Sequence, residues 1–325
     1  MTNKRSQAAP VFSAPHFLVA TILTLLLTAL GSLPATGQRA VQIDYDRDSD
    51  GQYTFNAIST FAAPHVVVLE FTTLTNLNPS RRMPLVTNIS GRRTRLLTLN
   101  PIVERQRSRF NYTYRYYPGC LNATPDDIEY LLPFEESAVA SAGFANYVYR
   151  RIGAEEPDGW YSPIFYVEDG TTIHASRKGT VISVQDVGME SNPERHYSSE
   201  RNYIRVVHDD CTVARYSVFK NNEIFVEPGD IVFPGDPLGI VAGEDIGFGN
   251  QVRLLLYHIN DESVIPDENG DTDSNRWRYV QPKFRTAAGE RVSLESGEEY
   301  KSIHPQEIVT EEMSRRERRR WNRQN

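Results

Sequence analysis

Several side chains between residues 169 and 259 are of types that could bind a metal ion. Imidazole and carboxylate groups bind zinc, and zinc lowers the pKa of its bound water to about 7, which produces a hydroxide able to attack an amide carbonyl. The candidates weighed for a metal site in this part of the chain are His174, His208, His258, Asp186, Asp209 and Asp210. Their positions fall in separate motifs, so the sequence favours separate roles for them over one shared metal site.

Other enzyme signatures do not occur in the sequence. It contains no G-x-S-x-G, no H-E-x-x-H and no glycine-rich phosphate loop. Cys120 and Cys211 are its two cysteines, and two thiolates cannot hold zinc unaided. An oxidising compartment would allow them to pair if their Cα atoms lie within about 7 Å. Two separate thiols is the interpretation that we favour, with a disulfide as the alternative.

The segment from Asp169 to Ile259 is predicted to consist of short strands and tight turns. It opens with DGTTIHASRKGTVISV, where Gly170 and Gly179 mark turns around a strand. The next motif, NYIRVVHDDCTVARYSVF, predicts two strands joined by an Asp-rich turn. In IFVEPGDIVFPGDPLGIVAG, two Pro-Gly-Asp turns alternate with apolar strand pieces.

This ordered set of motifs resembles the duplicated hybrid motif of the lysostaphin or LytM-type peptidoglycan endopeptidases. That family shares a Gly-Thr-x-Val-x-Ala opening, a Gly-x-Val strand and a turn of the form V-x-x-G-D/Q-x-V-x-x-G-x-x-L-G. The mature chain as a whole also looks like exported LytM-domain proteins of the Bacteroidetes type. The resemblance implies a LytM-like β domain, zinc as the cofactor of active members and peptidoglycan as their substrate.

The resemblance also implies where the active-site groups would lie. Active members hold zinc with the His and Asp of an H-x-x-x-D segment and with the second His of an H-x-H, while a Tyr and a further His belong to the preceding strand. These family positions, taken in chain order, are matched here by Trp160, Ile164, Tyr216, Val218, Gln251 and Arg253.

The zinc ligands that the resemblance calls for are missing at these positions. Trp160 and Ile164 offer no metal ligand, and the assisting His is replaced by Val218. The guanidinium of Arg253 stays protonated and would repel a dication. We therefore expect no metal and no catalytic residue, and a former active-site groove in which Tyr216, Gln251 and Arg253 face a ligand.

Four functions are compatible with these residues. The first is a non-catalytic module that binds peptidoglycan or a partner cell-wall hydrolase, and it is the one we favour. The second is an active zinc endopeptidase with a non-standard ligand set, and the third is a purely structural envelope protein. The fourth, a biotinyl or lipoyl carrier, is disfavoured because neither Lys178 nor Lys220 lies in a suitable hairpin tip.

The predicted fold is all-β, in two domains. We expect a β-sandwich at 41–135, a connector at 136–163, the LytM-like domain at 164–285 and an extension at 286–325. The acidic insertion at 266–275 is predicted to be a solvated hairpin tip, because it lacks the order of an EF-hand.

Two sequence features of the flanking regions carry further expectations. In the predicted strand from Arg109 to Tyr117, alternate residues form an aromatic row that we expect to face the core, with sugar binding as the alternative. The tail is predicted to be one helix that opens near Pro305. A solvated helix is favoured there over binding to an anionic envelope polymer or lipid. The aromatic row consists of Phe110, Tyr112, Tyr114 and Tyr116, and the arginines of the tail are Arg315, Arg316, Arg318, Arg319, Arg320 and Arg323.

The N-terminal residues 1–38 are predicted to be a secretory signal peptide. Lys4 and Arg5 precede an apolar run from Phe17 to Leu30, which is shorter than the roughly 20 residues that a membrane-spanning helix needs. We expect an exported protein of the periplasm or cell surface.

With 39% hydrophobic residues and a formal net charge of -7, the composition excludes wholesale disorder and gives no basic domain for nucleic acid.

Overall fold

The computed structural model describes residues 40–60, 63–145, 156–186, 202–243, 250–264 and 276–323. The predicted signal peptide at 1–38 and the acidic insertion at 266–275 lie outside these residues. The described residues from Ala40 onward belong to one compact unit. No helix among them is long and apolar enough to cross a membrane.

The all-β prediction is confirmed, since strands dominate the described chain and its helices are short. The front of the chain forms two antiparallel sheets, in the strand orders β1-β2-β6-β4 and β5-β3-β7. Their strands are β1 (Val41–Arg47), β2 (Tyr53–Ser59), β3 (His65–Thr75), β4 (Leu77–Pro79), β5 (Leu85–Ile89), β6 (Arg93–Pro101) and β7 (Arg109–Pro118).

The aromatic row of β7 packs against the core of the front sheets, as expected from its alternation. Phe110 and Tyr112 contact the rings of Phe55 and Phe71, and all four residues of the row lie against the same buried cluster. Aromatic residues on one face of a strand supply a large buried area, so this row contributes to packing.

The rest of the chain is built around a nine-stranded sheet, in the order β16-β12-β13-β14-β18-β10-β9-β22, with β19 paired to β18. Two three-stranded sheets, β11-β17-β15 and β21-β20-β8, complete this part. The strands are β8 (Glu129–Leu131), β9 (Val139–Phe144), β10 (Pro163–Tyr166), β11 (Thr172–His174), β12 (Gly179–Gln185), β13 (Tyr203–Val207), β14 (Val213–Ser217), β15 (Phe219–Ile224), β16 (Ile231–Val232), β17 (Pro237–Val241), β18 (Gln251–Ile259), β19 (Trp277–Tyr279), β20 (Lys283–Thr286), β21 (Gly289–Val292) and β22 (Glu299–Lys301).

The two sides of the large sheet have different surroundings. On the inner side, alternate residues such as Val206, Ala214 and Leu254 belong to one buried cluster with Leu238 of β17 and Phe284 of β20. Successive side chains of a strand point to opposite faces. The residues between those buried positions must therefore lie on the outer side.

Two predictions about the flanking segments need correction. Part of the connector expected at 136–163 is strand β9, which pairs with β10 and with β22. Its alternate buried residues, Ala140 and Ala142, contact the main core. The extension expected after 285 supplies β22, whose Tyr300 is buried in that core too.

The C-terminal tail forms two short helices and not the single helix that we predicted. Helix α1 spans Gln306–Thr310, and α2 spans Arg315–Trp321. Ser314 begins α2 through a capping box, in which its hydroxyl accepts the N–H of Glu317 and the Glu317 carboxylate accepts the N–H of Ser314. A capping box satisfies N–H groups that a new helix leaves unpaired, so it favours a second start at this position. A three-residue 3-10 helix, Asp261–Ser263, follows β18.

Cys120 and Cys211 form a disulfide, with 5.6 Å between their Cα atoms. The favoured expectation of two separate thiols is therefore wrong. The bond joins the end of β7 to the turn between β13 and β14, so it connects the front sheets to the large sheet. A Cβ atom on Gly119 would lie 3.0 Å from the carbonyl oxygen of Cys211, so the close approach of the two segments requires glycine there.

A buried arginine fixes the C-terminal tail to the large domain. The guanidinium of Arg177 is 1% exposed and donates to Asp210 at 2.6 Å, to Asp126 at 2.9 Å and to Glu312 at 2.8 Å. Burial alone would lower its pKa, but the bonds to Glu312 and the neighbouring charges raise the pKa above its usual value. Burial raises the pKa of Asp210, but the backbone N–H of Asp126 and the charge of Arg177 outweigh this effect and hold the pKa at about 2.

Candidate functional site

The outer side of the large sheet carries a group of arginines on its central strands. We name the arginine face as Tyr203, Arg205, Arg215, Ser217 and Arg253. The strand register sets them in two adjacent rows across β13, β14 and β18. One row runs from Tyr203 through Ser217 to Arg253, and in the next row Arg205 lies directly opposite Arg215.

The charge of this face is of one sign. Strands β10, β13, β14 and β18 contain three arginines and no Asp or Glu, although the whole chain has a net charge of -7. Directly opposed like charges on neighbouring strands destabilise a sheet. Burial lowers the pKa of Arg215, and the positive charge of Arg205 lowers it further.

Tyr203 is the aromatic partner of both opposed arginines. The guanidinium carbons of Arg205 and Arg215 lie 4.7 Å and 4.5 Å from the centroid of its ring. A cation over an aromatic face gains roughly 0.5–2 kcal/mol. The Nε atoms of both arginines are buried and have no hydrogen-bond acceptor among the described residues, although buried donors are usually paired.

The positions that would hold zinc in the resembled family come together only in part. Ile164 of β10 lies directly opposite Arg253 of β18, and Gln251 lies two residues before Arg253 on that strand. Both Ile164 and Gln251 are buried. A hydrocarbon side chain beside a guanidinium offers no lone pair and adds a positive charge, so this arrangement does not fit a zinc ion.

Tyr216 does not line this surface, contrary to the expectation that it shares a groove with Arg253. Tyr216 pairs with Leu254, so both point to the inner core, and Tyr216 is fully buried. Its hydroxyl accepts the backbone N–H of Ser176 at 2.8 Å. The next predicted position, Val218, is 1% exposed and also belongs to the interior.

Trp160 lies before β10, half-buried, and packs edge to face on Tyr279 with 4.8 Å between ring centroids. Tyr279 pairs with Tyr257 at the far half of β18, whereas Ile164 pairs with Arg253 at its near half. The two residues that match the family's H-x-x-x-D segment therefore have different neighbours.

The histidines and aspartates considered as a substitute metal site have separate structural roles. His174 donates from Nδ1 to the carbonyl of Gly235 at 2.6 Å, and His208 donates from Nδ1 to the carbonyl of Lys178 at 2.7 Å. Asp186 accepts the backbone N–H of Asn222. Among the residues with described positions, no three His, Cys, Asp or Glu side chains are grouped to hold a metal ion.

Sequence reasoning missed Tyr203, Arg205 and Arg215 as site residues. Their signal was present in the alternation of YIRVV and VARYS, where one arginine interrupts each apolar strand. A charged residue at the centre of a strand that is otherwise apolar requires either a partner or a ligand.

Comparisons with known proteins give structural neighbours only. No family model matches the chain, and no curated protein matches it. The deep-sea M23 metalloprotease pseudoalterin is 17% identical over 55% of this chain and all of its own, with a TM-score of 0.30. A putative glycyl-glycine endopeptidase LytM of Ruminococcus gnavus is 13% identical over 46% of this chain and 57% of its own, at 0.28.

A third solved structure, Csd3 of Helicobacter pylori, is 12% identical over 88% of this chain and 78% of its own, with a TM-score of 0.29. Scores and identities this low carry no inference about activity. The function of this chain must therefore be argued from its own residues and from the resemblance of its motifs to the LytM type.

Proposed function

We propose that this protein is an exported envelope protein whose LytM-like domain is not catalytic and binds peptidoglycan through the arginine face. The observation that carries the proposal is the pairing of Ile164 with Arg253 at positions where active members of the resembled family hold zinc. The same sheet position that would bind a dication now presents a permanent cation.

The chemistry of peptidoglycan suits this surface. Its peptide stems carry carboxylates, and a guanidinium binds a carboxylate through two parallel N–H donors. The arginine face lies on the outer side of the sheet, and its three arginines are only partly buried there. Periplasmic or surface location follows from the N-terminal segment predicted as a signal peptide, and it is part of the proposal.

Retention on purified peptidoglycan, measured by co-sedimentation, tests the proposal. The purified protein is mixed with insoluble peptidoglycan in low salt, and the pellet is assayed for protein while the supernatant is assayed for released muropeptides. We expect retention without release, with or without added zinc. Absence of retention, together with recovery of no cell-wall hydrolase after crosslinking in the producing cells, would overturn the proposal.

The competing activity, a zinc endopeptidase with a non-standard ligand set, predicts a different result in the same assay. It requires stoichiometric zinc in the purified protein and muropeptide release that a chelator abolishes. We expect neither, because the described part of the fold provides no group of three metal-binding side chains.

A further inference from the structure

Two arginines of the arginine face repel each other, and the described part of the chain supplies no counter-charge between them. Arg205 and Arg215 are directly opposed across β13 and β14, where like charges repel. Among the residues with described positions neither forms an ion pair, and each leaves its Nε donor without an acceptor. By contrast, Arg177 of the same domain is bonded to three carboxylates.

We infer that Arg205, Arg215 and Tyr203 form a subsite for a carboxylate of the ligand. The inference rests on the proposed function and names the group of peptidoglycan that is recognised, a free carboxylate of the peptide stem. An anion beside the two guanidiniums offsets their repulsion and supplies the counter-charge that no described residue provides. The ring of Tyr203, within 4.7 Å of both guanidinium carbons, holds them in place.

The geometry of the strands favours a carboxylate over a phosphate. In the centre of a sheet the backbone N–H groups are used in the ladder, so the donors that point outward are those of the side chains. Phosphate sites in proteins commonly use backbone N–H groups at helix ends or in glycine-rich loops. The two oxygens of a planar carboxylate can accept two parallel N–H groups of one guanidinium, so side-chain donors are sufficient for it.

Arg253 extends the subsite along the neighbouring strand. It pairs with Ser217 of β14, and Arg215 is two residues from Ser217 on that strand. Diagonal neighbours of this kind lie about 7–8 Å apart at their Cα atoms. A ligand with two carboxylates could therefore contact the opposed pair with one group and Arg253 with the other.

Calorimetric titration with a synthetic stem peptide tests the subsite. The peptide with free carboxylates is compared with the same peptide in which every carboxylate is an amide, and inorganic phosphate is titrated separately. We expect the wild type to bind the free peptide at least tenfold more tightly than the amidated peptide and than phosphate. Arg205→Met and Arg215→Met should each weaken binding of the free peptide at least tenfold.

The matched control is Arg278→Met. Arg278 is an exposed arginine of β19. Its neighbour Tyr279 packs with Tyr257 on the outer side of the sheet. Because successive side chains of a strand point to opposite sides, Arg278 points to the side opposite the arginine face. Its substitution should leave the affinity unchanged. Chemical denaturation of every variant gives a second readout, because removing one of two repelling charges should leave the unfolding midpoint unchanged or raise it.

Three results would overturn the subsite, and each is separate from failure of the proposed function. Equal affinity for the free and amidated peptides contradicts carboxylate recognition, and tighter binding of phosphate contradicts the ligand class. If Arg215→Met lowers the unfolding midpoint but keeps its affinity, the arginine is structural. In each case retention of the wild type on whole peptidoglycan still reports on the proposed function.

Discussion

Arginines occupy two opposite environments in this molecule. Arg177 is buried among three carboxylates, and its charge is compensated within the protein. Arg215 is partly buried beside another arginine and the ring of Tyr203, with no described carboxylate partner. Removing one member of a buried ion pair is costly because it leaves the other charge uncompensated, whereas removing an arginine with no described counter-ion carries no such cost. The two side chains should therefore respond differently to substitution.

Replacing Arg177 by methionine should strongly destabilise the protein. The change leaves Asp210, whose side chain is 2% exposed, without its main counter-ion, and breaking a buried pair in this way costs about 3–5 kcal/mol. Urea denaturation measures the loss. Arg93→Met is the control, because Arg93 forms an exposed pair with Asp46 worth about 0–1 kcal/mol. A loss for Arg177→Met as small as that of the control would contradict the account.

His208 should make the fold sensitive to mild acid. Burial lowers its pKa to about 4 from 6.5, and the charge of Arg177 acts in the same direction. The folded pKa lies below the unfolded one, so the unfolded state binds the extra proton between pH 6.5 and 4. Stability that is fully present above pH 6.5 is therefore lost as pH falls through this window, by up to about 3 kcal/mol.

The variant His208→Gln tests this pH dependence. Its amide can still donate to the carbonyl of Lys178, but it cannot titrate. Free energies of unfolding measured between pH 7 and 4 should fall less steeply for the variant than for the wild type, by up to about 1.4 kcal/mol per pH unit. Burial also lowers the pKa values of His65 and His304. These two histidines should therefore leave some pH dependence in the stability of the variant. Identical slopes for the two proteins would exclude His208 as the source.

At the scale of elements, the strands and turns of the large domain followed from local signals. Alternating apolar residues and the Pro-Gly-Asp turns predicted a β-rich segment, and the structure contains β11 to β18 there. Strands β9 and β22 were missed because their sequences, VASAGF and EYK, are rich in residues that are uncommon in strands, and their pairing partners are distant in sequence. Local propensity cannot report such pairings.

The direction in which strand residues face could not be predicted from the sequence either. Side chains alternate between the two sides, so whether Tyr216 or Arg215 points outward depends on which side of the sheet the core covers. The inner core covers the side of Tyr216 and Leu254. This is why one family-matched residue lies in the interior, while the neighbouring arginine, which no motif marked, lies on the arginine face.

The disulfide is the element that most constrains the unfolded chain. Cys120 and Cys211 are separated by 91 residues, and closing a long loop stabilises a protein by about 2–5 kcal/mol. We expect full reduction of the wild type to lower its free energy of unfolding by this amount in urea denaturation. The variant Cys120→Ser/Cys211→Ser should show the lower stability with or without reductant. An unchanged wild-type midpoint after thiol titration has confirmed reduction would contradict this.

Across the whole molecule, the fold class was predictable and the function only by analogy. The motifs of residues 169–259 resemble those of the LytM type, and the loss of its zinc ligands remains a prediction; the structure sets Ile164 directly opposite Arg253. The arginine face became visible only in three dimensions, because its members come from β13, β14 and β18. The sheet brings together charges that the sequence keeps apart.

The central claim is that this face binds peptidoglycan with a cation at the former zinc position, and retention of Arg253→Ala on insoluble peptidoglycan tests it most directly. We expect the retained fraction to fall severalfold relative to the wild type, while Arg278→Ala, on the other side of the sheet, is retained like the wild type. Equal retention of all three proteins, with unchanged unfolding midpoints, would contradict the claim.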